Sequence, residues 1–337
     1  KLIEYLETAK DDDRPFFMVA AYTSPHWPLQ VPEEDLNLYA GRYDMGYDRL
    51  RELRFESLKA AGIIPEDSKL PPRNPAIKAF ADLPPAEQRR EARKMELYAA
   101  MLDNLDRHVG RLLDHLRVND LYEDTLIVFM SDNGAAGEDF YYSGPFVDYI
   151  QANYDDSYER MGKPGNYVSY GPQWAEAGSA PFRLYKGFPS EGGMVAPMII
   201  AGNGVARRAE ISAEYITVMD LMPTFIELAG ARYPDDKVPM LGESTWGYLS
   251  GESETVHDAD YVMTFAYQQR AFVRQGDWKL MTLEQPFDER DFALYNVVDD
   301  PGETTDLSLQ YPEKRAELLR LWRGERRRLG IMLPEDL

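Results

Sequence analysis

Asp132 and Asn133 carry the side chains of this chain that could hold a metal ion. They follow directly on 126–131, a run of apolar or small residues that predicts a buried strand. In open α/β sheets, ligands collect beyond the carboxyl ends of the strands. A carboxylate beside a carboxamide offers oxygen atoms, which suit Ca²⁺ or Mg²⁺ better than Zn²⁺. The pattern therefore predicts a metal site at these two residues, with an ordinary Asp-Asn-Gly turn as the alternative.

Two further side chains, those of His26 and Lys186, could act on an anionic group. His26 lies between Pro25 and Trp27, just after the apolar segment 15–22, for which we predict a buried strand. An imidazole titrates near neutral pH and can therefore donate a proton, although a structural histidine is a plausible alternative. Lys186 could bind an oxyanion beside a metal ion, although surface lysines are common.

These three groups could together promote the cleavage of a tetrahedral oxyanion ester: an oxygen-bound cation, a lysine and an imidazole. The cation would neutralise charge, and the imidazole would protonate the departing oxygen. The sequence offers no obvious nucleophile for this reaction.

The elements that position these groups follow from the apolar periodicity and from turn residues. We predict helices at 1–10, 87–116, 220–228 and 313–328, and strands at 15–22, 126–131, 195–201, 271–274, 278–281 and 294–297. His108 and His115 flank the apolar stripe of the helix at 87–116, and we do not count them as metal ligands.

Three polar or aromatic segments complete the chain. Asp11 to Asp13 predict a solvated turn, and the proline-rich segment 32–85 predicts a long surface excursion with short helices. The aromatic segment 135–185 predicts a lid or a pocket wall. We expect an α/β chain with a large domain over 1–252, followed by a C-terminal subdomain of antiparallel sheet plus helix over 253–337.

Composition excludes several classes of partner. The 37 Lys and Arg residues and 58 Asp and Glu residues give a net charge of -21, which argues against a nucleic-acid partner. The sequence contains no apolar stretch long enough to cross a bilayer, so we expect no membrane contact. Without cysteine there is neither a disulfide nor a thiolate zinc site, and the compartment stays open between bacterial periplasm and cytoplasm.

Several motifs occur along the chain in a fixed order. They are Ser24-Pro25-His26-Trp27-Pro28-Leu29-Gln30, Thr125-Leu126-Ile127-Val128-Phe129-Met130-Ser131-Asp132-Asn133-Gly134, Leu184-Tyr185-Lys186-Gly187 with Glu191-Gly192-Gly193, Arg270-Ala271, Gly276-Asp277-Trp278-Lys279-Leu280, and Leu294-Tyr295-Asn296 leading to Asp300-Pro301-Gly302-Glu303-Thr304. This order resembles the type I sulfatases, in particular the bacterial arylsulfatases, of the alkaline phosphatase superfamily.

The resemblance implies an alkaline-phosphatase-like mixed sheet flanked by helices, and hydrolysis of a small-molecule or saccharide sulfate ester. Asp132 and Asn133 match two ligands of the family's single calcium ion, for which Mg²⁺ or Mn²⁺ is a less suitable substitute. His26 matches the histidine that contacts the sulfate and helps to protonate the leaving group, and Lys186 matches the sulfate-binding lysine. The family's nucleophile is a hydrated formylglycine made from a C/S-x-P-x-R motif.

The chain departs from the family in what it lacks. The family's formylglycine motif and first aspartate pair lie upstream of the point that corresponds to Lys1. We therefore expect a missing N-terminal segment and no formylglycine encoded in this chain, which would leave it an incomplete enzyme. The segment 179–183 fits the bare S-x-P-x-R pattern but lies elsewhere, and we interpret it as a coincidence.

Two alternatives remain open. A phosphatase, phosphodiesterase or phosphonate monoester hydrolase of the same superfamily shares the oxyanion chemistry, although two-metal members usually carry Asp-His where this chain has Asp132 and Asn133. A non-catalytic binding subunit or a degenerate relative is the second alternative. A C/S-x-P-x-R motif upstream of Lys1 would indicate an enzyme, and its absence would indicate a non-catalytic relative.

Overall fold

The computed structural model describes residues 1–9 and 14–333. The predicted turn at Asp11 to Asp13 lies outside the described residues, as does Lys10 at the end of the first predicted helix. Among the described helices, none combines the length and the apolar character that crossing a bilayer requires.

The described residues form helices and strands in an α/β order. The α-helices are α1 Leu2–Ala9, α2 Gly46–Ala60, α3 Pro85–Val118, α4 Val147–Asn153, α5 Gly171–Ser179, α6 Glu191–Met194, α7 Leu221–Leu228, α8 Trp246–Ser250 and α9 Pro312–Leu329. The strands are β1 Leu126–Met130, β2 Met198–Gly202, β3 Val262–Tyr267, β4 Arg270–Gln275, β5 Trp278–Thr282 and β6 Ala293–Asn296. Short 3-10 helices occur at Glu33–Asp35, Phe80–Asp82, Tyr158–Arg160, Val218–Asp220 and Glu289–Asp291.

The described chain divides into two compact units. Unit 1 takes its described residues from Lys1–Arg51, Pro75–Thr125 and Ala136–Ala177, and unit 2 takes them from Glu52–Asn74, Leu126–Ala135 and Gly178–Leu337. The boundary between 252 and 253 that the sequence suggested stays a prediction.

Helix α3 is the main element of unit 1, and it confirms the predicted helix. Of its apolar stripe, Met95, Leu105 and Leu116 are buried, whereas Leu102 is 40% exposed. Trp174 of α5 is fully buried, and its indole nitrogen donates a hydrogen bond of 3.0 Å to the carbonyl of Glu91 in α3. This bond satisfies the one polar atom of the ring in the core of the unit.

The aromatic segment 135–185 contains α4 and α5 and is therefore more ordered than the predicted loop. Trp174 of α5 is buried in the core of unit 1, together with Tyr167 and Tyr170 from the chain that leads into this helix. Tyr149 is 64% exposed, so part of the segment does present aromatic surface.

The proline-rich segment 32–85 also contains a longer helix than predicted, the 15-residue α2. Tyr47, Arg51 and Phe55 are buried at intervals of four residues, which places them on one face of the helix. The Arg51 guanidinium lies 3.4 Å from Glu176, and this buried pairing allows a polar residue to occupy the packed face.

The predicted strand at 15–22 is wrong. The segment has no strand, and Phe17 and Val19 are 71% and 67% exposed. A strand exists only where a neighbour accepts its backbone hydrogen bonds, and no strand of the described residues pairs with this segment. Apolar composition alone therefore predicted an element that lacks its partner.

Strands β1 and β2 of unit 2 confirm two predicted strands but not their burial. They pair antiparallel, with Leu126 opposite Gly202. Phe129 and Ile199 are 42% and 63% exposed, so the described residues cover these strands only in part. The predicted helix at 220–228 is confirmed as α7, and Gly230 follows it in a left-handed conformation with φ of 58°.

The C-terminal sheet of unit 2 has the order β3-β4-β5-β6 and is antiparallel throughout. The predicted hairpin at β4 and β5 is confirmed, and β3 is an additional strand that the sequence analysis missed. One face of the sheet packs against α9, where Leu318 and Trp322 are fully buried with Val273 and Leu280. The other face carries Phe272, Met281 and Tyr295, because successive side chains of a strand alternate between faces.

The packing of α9 can be tested with a pair of leucines. Leu318→Ala is expected to lower the free energy of unfolding by about 2–5 kcal/mol, because it leaves a cavity in a closed core. Leu309→Ala, at a residue that is 97% exposed, is expected to change it by less than about 0.5 kcal/mol. Urea unfolding measures both. Equal effects of the two substitutions would contradict the described packing of α9.

Candidate active site

The end of β1 is held by hydrogen bonds to two other segments of unit 2. The amide of Ser131 donates to the carbonyl of Pro197 at 3.2 Å, and the amide of Gly134 donates to the carbonyl of Gly193 at 3.2 Å. The amide of Lys186 donates to the carbonyl of Ala135 at 3.0 Å. The segment with Asp132 and Asn133 is thus joined through the backbone to the segment with Lys186.

Glycine is required where these segments meet. A Cβ atom on Gly134 would lie 2.1 Å from the carbonyl oxygen of Gly192. A Cβ atom on Gly192 would lie 2.3 Å from the carbonyl oxygen of Leu184. Both clashes involve backbone atoms, so no side-chain movement could relieve them. The absence of a side chain at these two positions is what allows the segments to approach.

Asp132 and Asn133 present oxygen atoms at the end of β1. The Asn133 side-chain nitrogen donates to the carbonyl of Gly134 at 2.8 Å, which leaves the amide oxygen as the atom available for a cation. Asp132 is exposed, and its carboxylate has no hydrogen bond or ion pair with other described residues. Carboxylate and amide oxygens are the donors that a hard cation prefers.

These two side chains fit a hard cation in type but supply only part of its ligands. Ca²⁺ takes about six to eight oxygen ligands. Across residues 1–9 and 14–333, no group of three or more His, Cys, Asp or Glu residues is arranged to hold a metal ion. A cation at Asp132 and Asn133 would therefore need further ligands, and calcium binding stays a prediction.

Lys186 lies in a sharply turned segment of unit 2. Leu184 and Gly187 on either side of it have positive φ angles of 63° and 93°. The lysine is half-buried, and its backbone is tied to Ala135 by the hydrogen bond described above. The local backbone therefore sets where the Lys186 side chain starts, and the hydrogen bond to Ala135 joins this segment to the residues that follow Asn133.

His26 belongs to unit 1 and is half-buried. Its Nδ1 lies 3.1 Å from the carbonyl oxygen of Trp27. A carbonyl can only accept a hydrogen bond, so Nδ1 carries the proton, and Nε2 is the basic nitrogen of the neutral ring. The Trp27 ring packs edge-on against Phe140 at 5.0 Å and lies 5.8 Å from Tyr167, which holds this loop in place. The predicted convergence of His26 with the three residues of unit 2 stays a prediction.

The other three histidines have structural surroundings. His108 lies 3.2 Å from Arg111 on the exposed side of α3, and His115 lies 3.6 Å from Glu7. His257, to which the sequence analysis assigned no role, is nearly buried between the carboxylates of Asp220 at 3.1 Å and Glu243 at 3.2 Å.

A buried group of charges was also missed. Lys279, Glu191 and Glu303 form ion pairs on the face of the C-terminal sheet opposite α9. In the sequence these residues stand out only as parts of the family motifs. The signal for this group of charges is a lysine between Trp278 and Leu280 in an apolar strand. If such a strand is buried, its lysine needs a carboxylate partner.

Comparison with known proteins places the chain among sulfatases. A family model described as Sulfatase matches residues 1–231. The chain is 35% identical over 348 residues to an uncharacterized sulfatase of Schizosaccharomyces pombe, covering 100% of this chain and 62% of that protein. It is 37% identical over 245 residues to an arylsulfatase of Klebsiella aerogenes, covering 70% of this chain and 52% of that protein. The chain thus spans between one half and two thirds of the length of these relatives.

Solved structures confirm the fold. The crystal structure of Ps i-CgsB in complex with k-i-k-neocarrahexaose is 21% identical, has a TM-score of 0.60 and covers 96% of this chain and 52% of that one. The predicted α/β class is confirmed, with an alkaline-phosphatase-like arrangement and a C-terminal antiparallel sheet plus helix. Within the described residues, unit 2 contains the antiparallel pair β1 and β2 as well as the C-terminal sheet.

The glycine contact gives a direct test of how the candidate site is held. Gly134→Ala is expected to lower the free energy of unfolding by about 1–3 kcal/mol, because the added methyl group overlaps the carbonyl of Gly192. Gly324→Ala, inside α9 with no atom within 4 Å of the added Cβ, is expected to raise it by up to about 1 kcal/mol. Thermal unfolding of both variants would decide. A stabilised Gly134→Ala variant would contradict the described backbone contact.

Proposed function

This chain belongs to the sulfatase family, and we propose that it forms part of an enzyme that hydrolyses sulfate monoesters of the arylsulfatase type. The observation that carries the proposal is the backbone connection between the segment with Asp132 and Asn133 and the segment with Lys186. The two segments are separated in the sequence, and their backbone contact supports a shared site for the oxygen atoms of Asp132 and Asn133 and the amine of Lys186. In the reaction, water adds to the ester, the sulfur–oxygen bond breaks, and inorganic sulfate and an alcohol or phenol are released.

Asp132 and Asn133 would hold one calcium ion, together with ligands from outside these two residues. When bound, the ion would neutralise negative charge on the sulfate oxygens. The charge of the site supports this assignment, since an exposed Asp132 carboxylate would repel an anionic ester in a chain of net charge -21. A cation at Asp132 removes that repulsion.

Lys186 and His26 would act on the ester itself. The Lys186 ammonium would bind a sulfate oxygen and stabilise charge that develops on the oxygen of the leaving group. His26, with the Nδ1 proton committed to the carbonyl of Trp27, would deliver a proton from Nε2 to the departing oxygen once the ring is charged.

The nucleophile would be a formylglycine from outside this chain. The sequence contains no cysteine. The Ser179 hydroxyl of the pattern at 179–183 donates to the carbonyl of Gly192 at 3.4 Å, and Ser179 is the last residue of α5 rather than a residue after a strand. We propose an additional N-terminal segment of the same protein as its source. The exposed apolar side chains of Phe129 and Ile199 in unit 2 support a further covering segment, because such strands are normally buried.

Exposed aromatic rings support a small-molecule or saccharide sulfate ester as the substrate. Tyr142, Phe146 and Tyr149 are 58%, 57% and 64% exposed in the segment predicted to be a lid or pocket wall. Rings of this kind can stack on an aryl group or on the apolar face of a sugar. We propose that the segment 135–185 forms a lid or a wall of the substrate pocket.

Turnover of model esters by the full-length protein tests the proposed reaction. We expect hydrolysis of 4-nitrophenyl sulfate, with kcat/KM lowered about 10²–10³-fold by Lys186→Ala and about 10²–10⁴-fold by His26→Ala. The exposed residues Lys237 and His108 provide matched controls, and Lys237→Ala and His108→Ala are expected to keep the wild-type rate. A near-normal rate for either site variant would remove that residue from the mechanism. Faster cleavage of the phosphate or phosphonate analogue would favour the other hydrolases of the superfamily.

Calcium binding is tested separately from turnover. Saturating calcium is expected to raise the Tm of the full-length protein, because a ligand at 100 times its Kd adds about 2.7 kcal/mol of stability. Asp132→Ala is expected to lose most of this rise and to lower the calcium content measured by elemental analysis. Asp236→Ala, at an exposed aspartate, should leave both unchanged. Equal calcium content in the wild type and in Asp132→Ala would refute the metal assignment.

A further inference from the structure

Three buried charged side chains meet on the face of the C-terminal sheet opposite α9. The Nζ atom of Lys279 lies 2.6 Å from Oε1 of Glu191 and 2.9 Å from Oε1 of Glu303. Lys279 and Glu303 are 0% exposed, and Glu191 is 7% exposed. We call these three residues the buried triad. Removing the lysine would leave Glu303 buried without its cation and Glu191 with only the more distant Arg274, which proteins tolerate poorly.

The sheet register builds this group. Lys279 of β5 lies opposite Arg274 of β4, and the Arg274 guanidinium is 3.6 Å from the second oxygen of Glu191. The two cations and two carboxylates therefore balance. Burial alone would lower the pKa of Lys279, but pairing with Glu191 and Glu303 raises the pKa above its usual value, so the lysine stays charged.

The buried triad is linked to the candidate active site through one short helix. Glu303 accepts a hydrogen bond of 3.0 Å from the backbone amide of Glu191, the first residue of α6. Met194, the last residue of α6, packs against the same face of the sheet. Between them, the carbonyl of Gly193 accepts the hydrogen bond from Gly134. The sheet thus holds α6, and α6 holds the residue that follows Asn133.

We infer that Lys279, Glu191 and Glu303 are positioning residues, which fix α6 on the C-terminal sheet and thereby fix the cation-binding segment at Asp132 and Asn133. Ion pairs suit this task because the buried Lys279 ammonium bonds a carboxylate of α6 and Glu303 at once in this arrangement. The part of the inference that concerns the cation rests on the proposed function. The part that concerns the backbone of Gly134 does not.

Hydrogen exchange and calcium titration of the full-length protein test the inference. In Lys279→Met, the amide of Gly134 is expected to exchange at least about tenfold faster than in the wild type, while the Val273 amide in β4 serves as the internal reference. The Kd for calcium, measured by calorimetric titration, is expected to rise about 10–100-fold, which is typical when a residue supporting metal ligands is lost.

Lys94→Met is the matched control. Lys94 is also a buried lysine, 5% exposed, with its Nζ 2.7 Å from Glu91, but it belongs to unit 1. We expect it to lower Tm while leaving the Gly134 exchange rate and the calcium Kd unchanged. Glu303→Gln, which keeps the side-chain volume, provides a second and milder variant for the same two measurements if Lys279→Met does not fold.

The outcomes separate this inference from the proposed function. Unchanged Gly134 exchange in Lys279→Met, or in Glu303→Gln where only that variant folds, would overturn the positioning role. If the wild type binds no calcium, the proposed cation fails, and the exchange rates still decide whether the buried triad holds the segment. If the Gly134 amide exchanges faster in Lys94→Met as it does in Lys279→Met, a general loss of stability explains both results. That outcome would also overturn the inference.

Discussion

The close approach of backbone segments at Gly134 and Gly192 is the constraint on which the candidate active site depends. Neither position has room for a Cβ atom, because a carbonyl oxygen lies within 2.3 Å of where that atom would be. Two residues without side chains therefore bring the end of β1, the segment with Lys186 and α6 into direct contact. Asp132 and Asn133 lie two and one positions before Gly134, and the amide of Lys186 is hydrogen-bonded to Ala135, the residue after Gly134.

The charges near the candidate active site differ in whether they are paired. The chain carries a net charge of -21, yet the charges buried beneath α6 balance within their own group. The Asp132 carboxylate, in contrast, has no described partner and is exposed. The Asp132 carboxylate at the end of β1 is therefore open to a cation. This contrast is the electrostatic basis for the proposed calcium site.

The histidine of the proposed mechanism is held by a different kind of interaction. His26 is fixed through its neighbour Trp27, whose ring packs among aromatic residues of the segment 135–185. That segment thus both anchors the loop of His26 and exposes other rings. Aromatic packing defines the position of the loop, and one hydrogen bond from Nδ1 to a carbonyl defines which ring nitrogen is basic.

The sequence by itself determined the elements with local signals. Helix α3, the β4–β5 hairpin and α9 were predictable because periodicity and turn residues lie within the element. The identities of His26, Asp132, Asn133 and Lys186 followed from chemistry and from the family resemblance, and their roles await experiment. Only the tertiary structure decided that 15–22 forms no strand, that Phe129 and Ile199 stay exposed, and that Lys279 is buried with Glu191 and Glu303. Burial and pairing depend on partners far away in the sequence, and no local pattern records whether those partners are present.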